Sequence, residues 1–147
     1  MKIYMKVDSS ALTGALKEIS FWDGKARLGV ENVMKKGTKD IRRNAAQRAA
    51  VKSGKLKKSL KTRFKASRCQ GEVYTKLPYA HVLEYGSKAH EIKPKKKKAL
   101  RFYKNGELLF AQKVKLPKFA GKPYLKPAYD FIAPDIVKNI KKVVKKP

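Results

Sequence analysis

Few residues in this chain have the type and spacing for covalent chemistry. His81 and Glu84 lie three residues apart, so a helix would bring imidazole and carboxylate to one face. A metal site needs three or four such ligands, and the chain has only two histidines and one cysteine. No acidic cluster is available to hold the divalent ions of a nuclease. The sequence has no phosphate-cradling Gly-rich loop, no Gly-x-Ser-x-Gly and no Cys-x-x-Cys. Cys69 follows Arg68, whose charge favours a thiolate, but no base stands near it in sequence, so it reads as an ordinary free thiol. These residues predict neither an enzyme nor a cofactor or metal site.

Charge is what remains. Thirty-eight Lys and Arg against eleven Asp and Glu give a net charge of +27, which points to an anionic partner or an acidic protein surface. The excess is uneven: residues 41–71 contain eleven basic and no acidic residues. Thirty-one of the basic residues are Lys, a point charge less suited than Arg to planar base reading. Contact with nucleic acid would therefore be non-specific attraction to the backbone. The candidates are Lys61, Arg63 and Lys65, on the outer side of an alternating segment, and the run Lys95, Lys96, Lys97 and Lys98. Solubilising surface and a solvated loop are the competing readings.

These residues need a scaffold, and the composition supports one. A chain of 147 residues with 42% hydrophobic residues forms one domain, 1–147, burying roughly 70% of the surface its unfolded chain exposes. No apolar run approaches the roughly 20 residues of a membrane span. The N-terminal residues carry no apolar block, so no secretory signal is expected, and one cysteine fits a reducing compartment.

Ile3, Met5 and Val7 alternate with polar neighbours and predict a strand. Leu12, Ala15, Leu16 and Ile19 form a helical stripe, followed by a turn at Asp23-Gly24. Val30, Met34, Gly37, Ile41, Ala45 and Ala49 then recur at helical spacing, predicting a long helix from Lys25 to about Lys52 with a stop at Ser53-Gly54. Leu60, Thr62, Phe64 and Ala66 alternate with basic residues as a half-exposed strand, and Gln70-Gly71 should turn it into a second strand around Val73 and Thr75. Residues 78–86 read as a short helical or irregular segment. Near the C-terminus, Pro127 can open a helix carrying Ile132, Ile136, Ile140 and Val143, which Pro134 should kink or split.

The sharpest local signal is Asn105-Gly106 between two apolar runs, a two-residue hairpin turn whose central residues both need positive φ. Such a loop pairs Tyr103 with Leu108, Phe102 with Leu109 and Leu100 with Ala111. One face then carries Leu100, Phe102, Leu109 and Ala111, the other Tyr103, Leu108 and Phe110 beside Arg101. A hairpin open to water on one side alternates more cleanly. Either the hairpin is sandwiched inside the domain or one face is covered by another subunit, and Tyr103, Leu108 and Phe110 are the candidate subunit interface.

Three segments occur in a telling order. Ala50-Val51-Lys52-Ser53-Gly54-Lys55-Leu56-Lys57-Lys58-Ser59-Leu60 leaves the long helix; Tyr79-Ala80-His81-Val82-Leu83-Glu84-Tyr85-Gly86-Ser87 follows; Lys122-Pro123-Tyr124-Leu125-Lys126-Pro127-Ala128 precedes the last helix. Together they resemble the tail-component family of lambda-like siphophages, gene-10-like proteins encoded between the connector and tail-tube genes. That family shows Pro-Val-x-Thr-Gly-x-Leu-x-x-Ser-Ile-like, Tyr-Ala-x-x-Val-Glu-x-Gly-Thr-like and Pro-Phe-Leu-x-Pro-Ala-like stretches. Here Ala50 stands for Pro, Ser53 and Ser87 for Thr, Leu83 for Val and Tyr124 for Phe. Without the Pro, the long helix is expected to run further towards Gly54. Gly54 and Gly86 suit positive φ. Leu56, Leu60, Tyr79, Val82, Leu83 and Leu125 should pin element ends to the core, and Glu84 should pair with a nearby Lys or Arg.

The pattern predicts an α+β fold, a long helix and a C-terminal helix packed on an antiparallel sheet that includes the Asn-Gly hairpin. The resemblance implies a non-enzymatic virion protein of the phage neck, assembled in the bacterial host cytoplasm. It would complete the head-proximal end of the tail and enable head–tail joining beside the connector or stopper, the tail terminator and the tail tube. It also implies a homo-oligomeric ring with head-to-tail contacts, a hexamer by the six-fold symmetry of such tails. The alternative from composition alone is a non-specific nucleic-acid-binding protein, ribosome-associated or DNA-compacting.

Overall fold

Two periodicities divide the chain, and each builds one layer. The computed structural model describes residues 3–7 and 24–144. The expected stripe of Leu12, Ala15, Leu16 and Ile19 lies outside the described residues, as does Asp23 of the expected turn. The period-two segments form β1 (Ile3–Val7), β2 (Lys61–Lys65) and β3 (Gln70–Thr75), an antiparallel sheet in the order β1-β3-β2. The helical stripes form α1 (Gly24–Arg48) and the C-terminal α4 (Leu125–Val144), with the short α2 (Lys55–Ser59) and α3 (Ala80–Tyr85) between them. The fold is α+β.

The core lies where α1 meets α4 and the sheet. Val30, Met34, Ile41 and Ala45 of α1 are buried with Val73 of β3 and Ile136 and Ile140 of α4. At Gly37 a Cβ would collide with the Ile136 side chain, so glycine allows the two helices to close on each other there. A Cβ at Gly71 would likewise collide with the Thr38 hydroxyl, and the sheet lies directly under α1. Thr38 is buried mid-helix and donates its hydroxyl to the Met34 carbonyl at 2.7 Å.

Three boundaries differ from expectation. The long helix ends at Arg48, not near Lys52. Ala49 is the last buried residue on its stripe, and a further turn would bring up only Lys52 and Ser53, which have nothing to bury. Gly54 takes its positive φ of 68° at the start of α2 instead, where Leu56 folds back into the core. The β2–β3 turn is not Gln70-Gly71, which already pair with Lys65 and Phe64. A 3-10 turn at Ala66–Arg68 makes it, with Cys69 at φ 46° donating its N–H to the Ala66 carbonyl.

The third boundary concerns α4. It begins at Leu125, two residues before Pro127, and Pro134 does not split it. Pro134 is exposed, as is Asp130, whose carbonyl loses its intrahelical donor, so water can take the place of the missing bond.

Between α3 and α4 the chain runs out and back as a two-stranded arm. Ser87 bridges Phe119 at its base, β4 (His90–Ile92) pairs with β7 (Val114–Leu116), and β5 (Leu100–Lys104) pairs with β6 (Glu107–Ala111) beyond them. The Asn-Gly hairpin is thus a separate two-stranded unit and no part of the three-stranded sheet, a correction to the expected single sheet. The reason lies in its sequence: both faces carry charged or polar residues among the apolar ones, so neither continues the core.

Candidate functional site

The arm must leave a body rigid enough to aim it, and the second and third family-like segments meet to provide that anchor. The first four N–H groups of an α-helix have no intrahelical acceptor. At α4 these belong to Tyr124, Leu125, Lys126 and residue 127, and residue 127 is proline, with no N–H to satisfy. The Glu84 carboxylate accepts the other three, from Tyr124 at 2.8 Å, Leu125 at 2.9 Å and Lys126 at 2.8 Å. Every orphan donor is therefore answered. Glu84 is only 3% exposed and makes no ion pair among the described residues, so the expected Lys or Arg partner is corrected to a helix N-terminus.

Around this anchor the backbones of the arm's two ends are in contact. Ser87 and Phe119 exchange N–H···O bonds at 2.9 Å in both directions, and Lys122 donates to the Leu83 carbonyl at 2.6 Å. Gly86 and Gly121 face each other with φ of 80° and 73°. A Cβ on Gly121 would stand 2.6 Å from the Gly86 nitrogen, so two side chains cannot occupy the arm's base.

Tyr124 is fully buried beside Glu84, and its hydroxyl has no hydrogen-bond partner among the described residues. Burial first, and the neighbouring Glu84 charge second, push its phenol well above the usual tyrosine range.

At the far end, the hairpin has the register expected of its loop. Leu100 stands opposite Ala111, Phe102 opposite Leu109 and Tyr103 opposite Leu108, with Asn105 at φ 53° and Gly106 at φ 87°. Its two faces differ. Leu100, Phe102 and Ala111 are half-buried and Leu109 on their face is 36% exposed, whereas Tyr103 and Phe110 are 66% and 64% exposed and Leu108 beside them 40%. Among the described residues, no helix packs extensively against either strand.

The basic candidates are scattered. Lys61, Arg63 and Lys65 lie on β2, but Lys65 and Arg63 lean on the buried Glu72 carboxylate at 3.1 and 3.8 Å, and Arg63 also covers the Tyr74 ring. Lys95, Lys96, Lys97 and Lys98 are exposed in the loop between β4 and β5. Sequence reading missed the cations that do converge. Arg42 and Arg43 of α1 and Lys57 and Lys58 of α2 line one open cleft of about 500 Å³. All four belong to the acid-free stretch 41–71, but only the turn at residues 50–54 brings the two helices alongside.

A second groove, of about 570 Å³, opens where the α1–α2 connection, α3 and the base of the arm meet. Leu56, Leu83, Tyr79 and Phe119 give it an apolar floor, and Lys52, Lys55 and Lys122 stand around it. Tyr79, expected to pin the core, is 41% exposed in this groove.

No proton-transfer pair forms. His81 Nδ1 lies 2.8 Å from the Pro78 carbonyl, while Glu84 faces α4. Burial raises the Cys69 thiol pKa, and the nearby Glu31 charge adds to that rise. Among the described residues, no three His, Cys, Asp or Glu side chains group to hold a metal ion, and no helix is long and apolar enough to cross a membrane.

Residues 12–86 match the family model described as "Bacteriophage HK97-gp10, putative tail-component". The first segment and all but the last residue of the second lie inside that span, and the third lies beyond it. No curated protein and no solved structure matches the chain.

Proposed function

We propose that this chain, which belongs to the HK97-gp10-like family of bacteriophage tail components, is a structural protein of the phage neck. In this reading it completes the head-proximal end of the tail and enables head–tail joining. It works as a homo-oligomeric ring, with a hexamer favoured, against the connector or stopper, the tail terminator and the tail tube. Its place is the virion, after assembly in the host cytoplasm, and it is not an enzyme.

The observation that carries this reading is the open aromatic face at the end of the arm. Tyr103, Leu108 and Phe110 present apolar surface to water on an element that the monomer does not use to build its core. Clustered exposed apolar side chains of this kind mark interaction surfaces. An arm anchored through Glu84 and the Gly86–Gly121 contact can reach a neighbouring subunit without distorting its own body. Such an arm-to-body contact is heterologous, the kind that closes rings.

Removing the protein tests the proposal. Electron micrographs of a deletion lysate should show filled heads and separate tail tubes; normally joined virions would overturn it. A second reading, non-specific nucleic-acid binding, is favoured by the cleft of Arg42, Arg43, Lys57 and Lys58. It requires tight DNA binding by the isolated protein that persists at physiological salt.

A further inference from the structure

We infer that the groove between the α1–α2 connection, α3 and the base of the arm docks an acidic, extended segment of a partner protein, with an aliphatic or aromatic side chain seated on its floor. Three observations lead there. The first is shape and lining: about 570 Å³ falls within the range of binding pockets, and the floor of Leu56, Leu83, Tyr79 and Phe119 is apolar. Tyr79 and Phe119 are 41% and 37% exposed in the free chain, and an apolar anchor is what they would cover.

The second observation is charge. Lys52, Lys55 and Lys122 border the floor, and among the described residues no acidic one lines the groove. A carboxylate-bearing segment therefore meets three cations with no opposing repulsion. Among the described residues, the neighbouring basic cleft has only Ala46, Gln47 and Gly54 beside its cations and no large apolar side chain, so it suits phosphates and not a protein anchor.

The third observation weighs against a second copy as the occupant. This chain carries +27, and of its eight acidic residues among the described ones all but Glu107 and Asp135 are already engaged. Glu31 pairs with Arg27 and Lys35, Asp40 with Arg43, Glu72 with Arg63 and Lys65, Glu91 with Lys93 and Lys113, and Asp130 with Lys126. Glu84 is committed to α4. The occupant is a different, acidic chain. This assignment stands on the groove alone and does not depend on the proposed position in the neck.

The test uses the full chain and a fluorescein-labelled hexapeptide, Glu-Glu-Trp-Glu-Leu-Glu, in fluorescence anisotropy at physiological salt. The triple variant K52E/K55E/K122E should bind it about tenfold more weakly or worse, as three exposed ion pairs of ordinary strength would supply. Its circular dichroism melt should stay close to that of the parent, since all three lysines are exposed. A hexaglutamate peptide should bind more weakly than the parent peptide, because it has no anchor. The proposal is overturned if the parent peptide fails to bind, if the triple variant binds it equally, or if hexaglutamate binds as well. It is also overturned if the triple variant changes self-association instead, which would make the occupant a second copy. Loss of duplex DNA binding without loss of peptide binding would make the groove a phosphate site and overturn it too.

Discussion

The Glu84 carboxylate accepts the N–H of Leu125 at 2.9 Å, across forty-one residues of chain. That bond, with those to Tyr124 and Lys126, ties the helix before the arm to the helix after it. Both ends of the arm are thereby fixed to one point of the body, whatever happens at its tip. Glu84→Ala leaves three buried or partly buried donors unanswered and should cost roughly 3 kcal/mol or more. Glu84→Gln, which keeps an acceptor oxygen but loses the charge that favours a helix N-terminus, should fall between. Urea unfolding at constant m-value measures both; a loss under about 0.5 kcal/mol for the alanine variant would refute the anchor.

Tyr124 yields a prediction of opposite sign. Its hydroxyl is buried without a partner among the described residues, in a segment where the resembling family has phenylalanine. Tyr124→Phe removes that unanswered group and should stabilise the protein by about 1 kcal/mol. The difference should grow with alkali. The phenol's folded pKa is raised, so its contribution is complete below the unfolded value near 10 and is lost as pH rises above it. The parent should then lose stability that the variant keeps. Thermal melts of the pair at pH 7 and pH 10.5 check this, and an equal gap at both would count against it.

How far the sequence made these features visible depends on the distance over which each is encoded. The hairpin register follows from two adjacent residues, Asn105 and Gly106, and the stripe from Val30 to Ala49 from spacing within one element; both are local and readable. The Glu84 role was hidden because its partners are backbone N–H groups forty to forty-two residues away, which leave no side-chain signature. The early end of α1 was hidden for a related reason: it depends on where Leu56 can be buried, not on a breaker. The convergence of Arg42 and Arg43 with Lys57 and Lys58 needs the turn between their helices, which no charge count supplies.

That cleft should govern the protein's attraction to DNA. Replacing Arg42, Arg43, Lys57 and Lys58 with Ala should lower the magnitude of the salt slope by up to about 3–4, and affinity should fall equally for unrelated duplexes. Replacing Arg63 and Lys65, which already neutralise Glu72, should do less. Fluorescence anisotropy across a salt series separates the two sets. A sequence-dependent loss would mean base reading, which this reading does not allow.

The last prediction concerns the end of the arm. Phe110 is 64% exposed, so Phe110→Asp places a charge in water in the monomer and should shift its melting temperature little. In an assembled ring the same carboxylate would lose its solvent as the aromatic face is covered, and incorporation into particles should fall sharply. Salt adds an independent check. The arm, residues 86–121, carries eleven basic and two acidic residues, so bringing it onto a like-charged neighbour is opposed by repulsion that added salt screens. Self-association of the parent should therefore strengthen between about 0.05 and 0.5 M salt, over which the screening length shortens roughly threefold, while its DNA binding weakens. Sedimentation of parent and variant across that range reads the first effect. If the variant unfolds, Phe110 belongs to the intramolecular core; if it incorporates normally, or if self-association weakens with salt, the arm is not the ring contact.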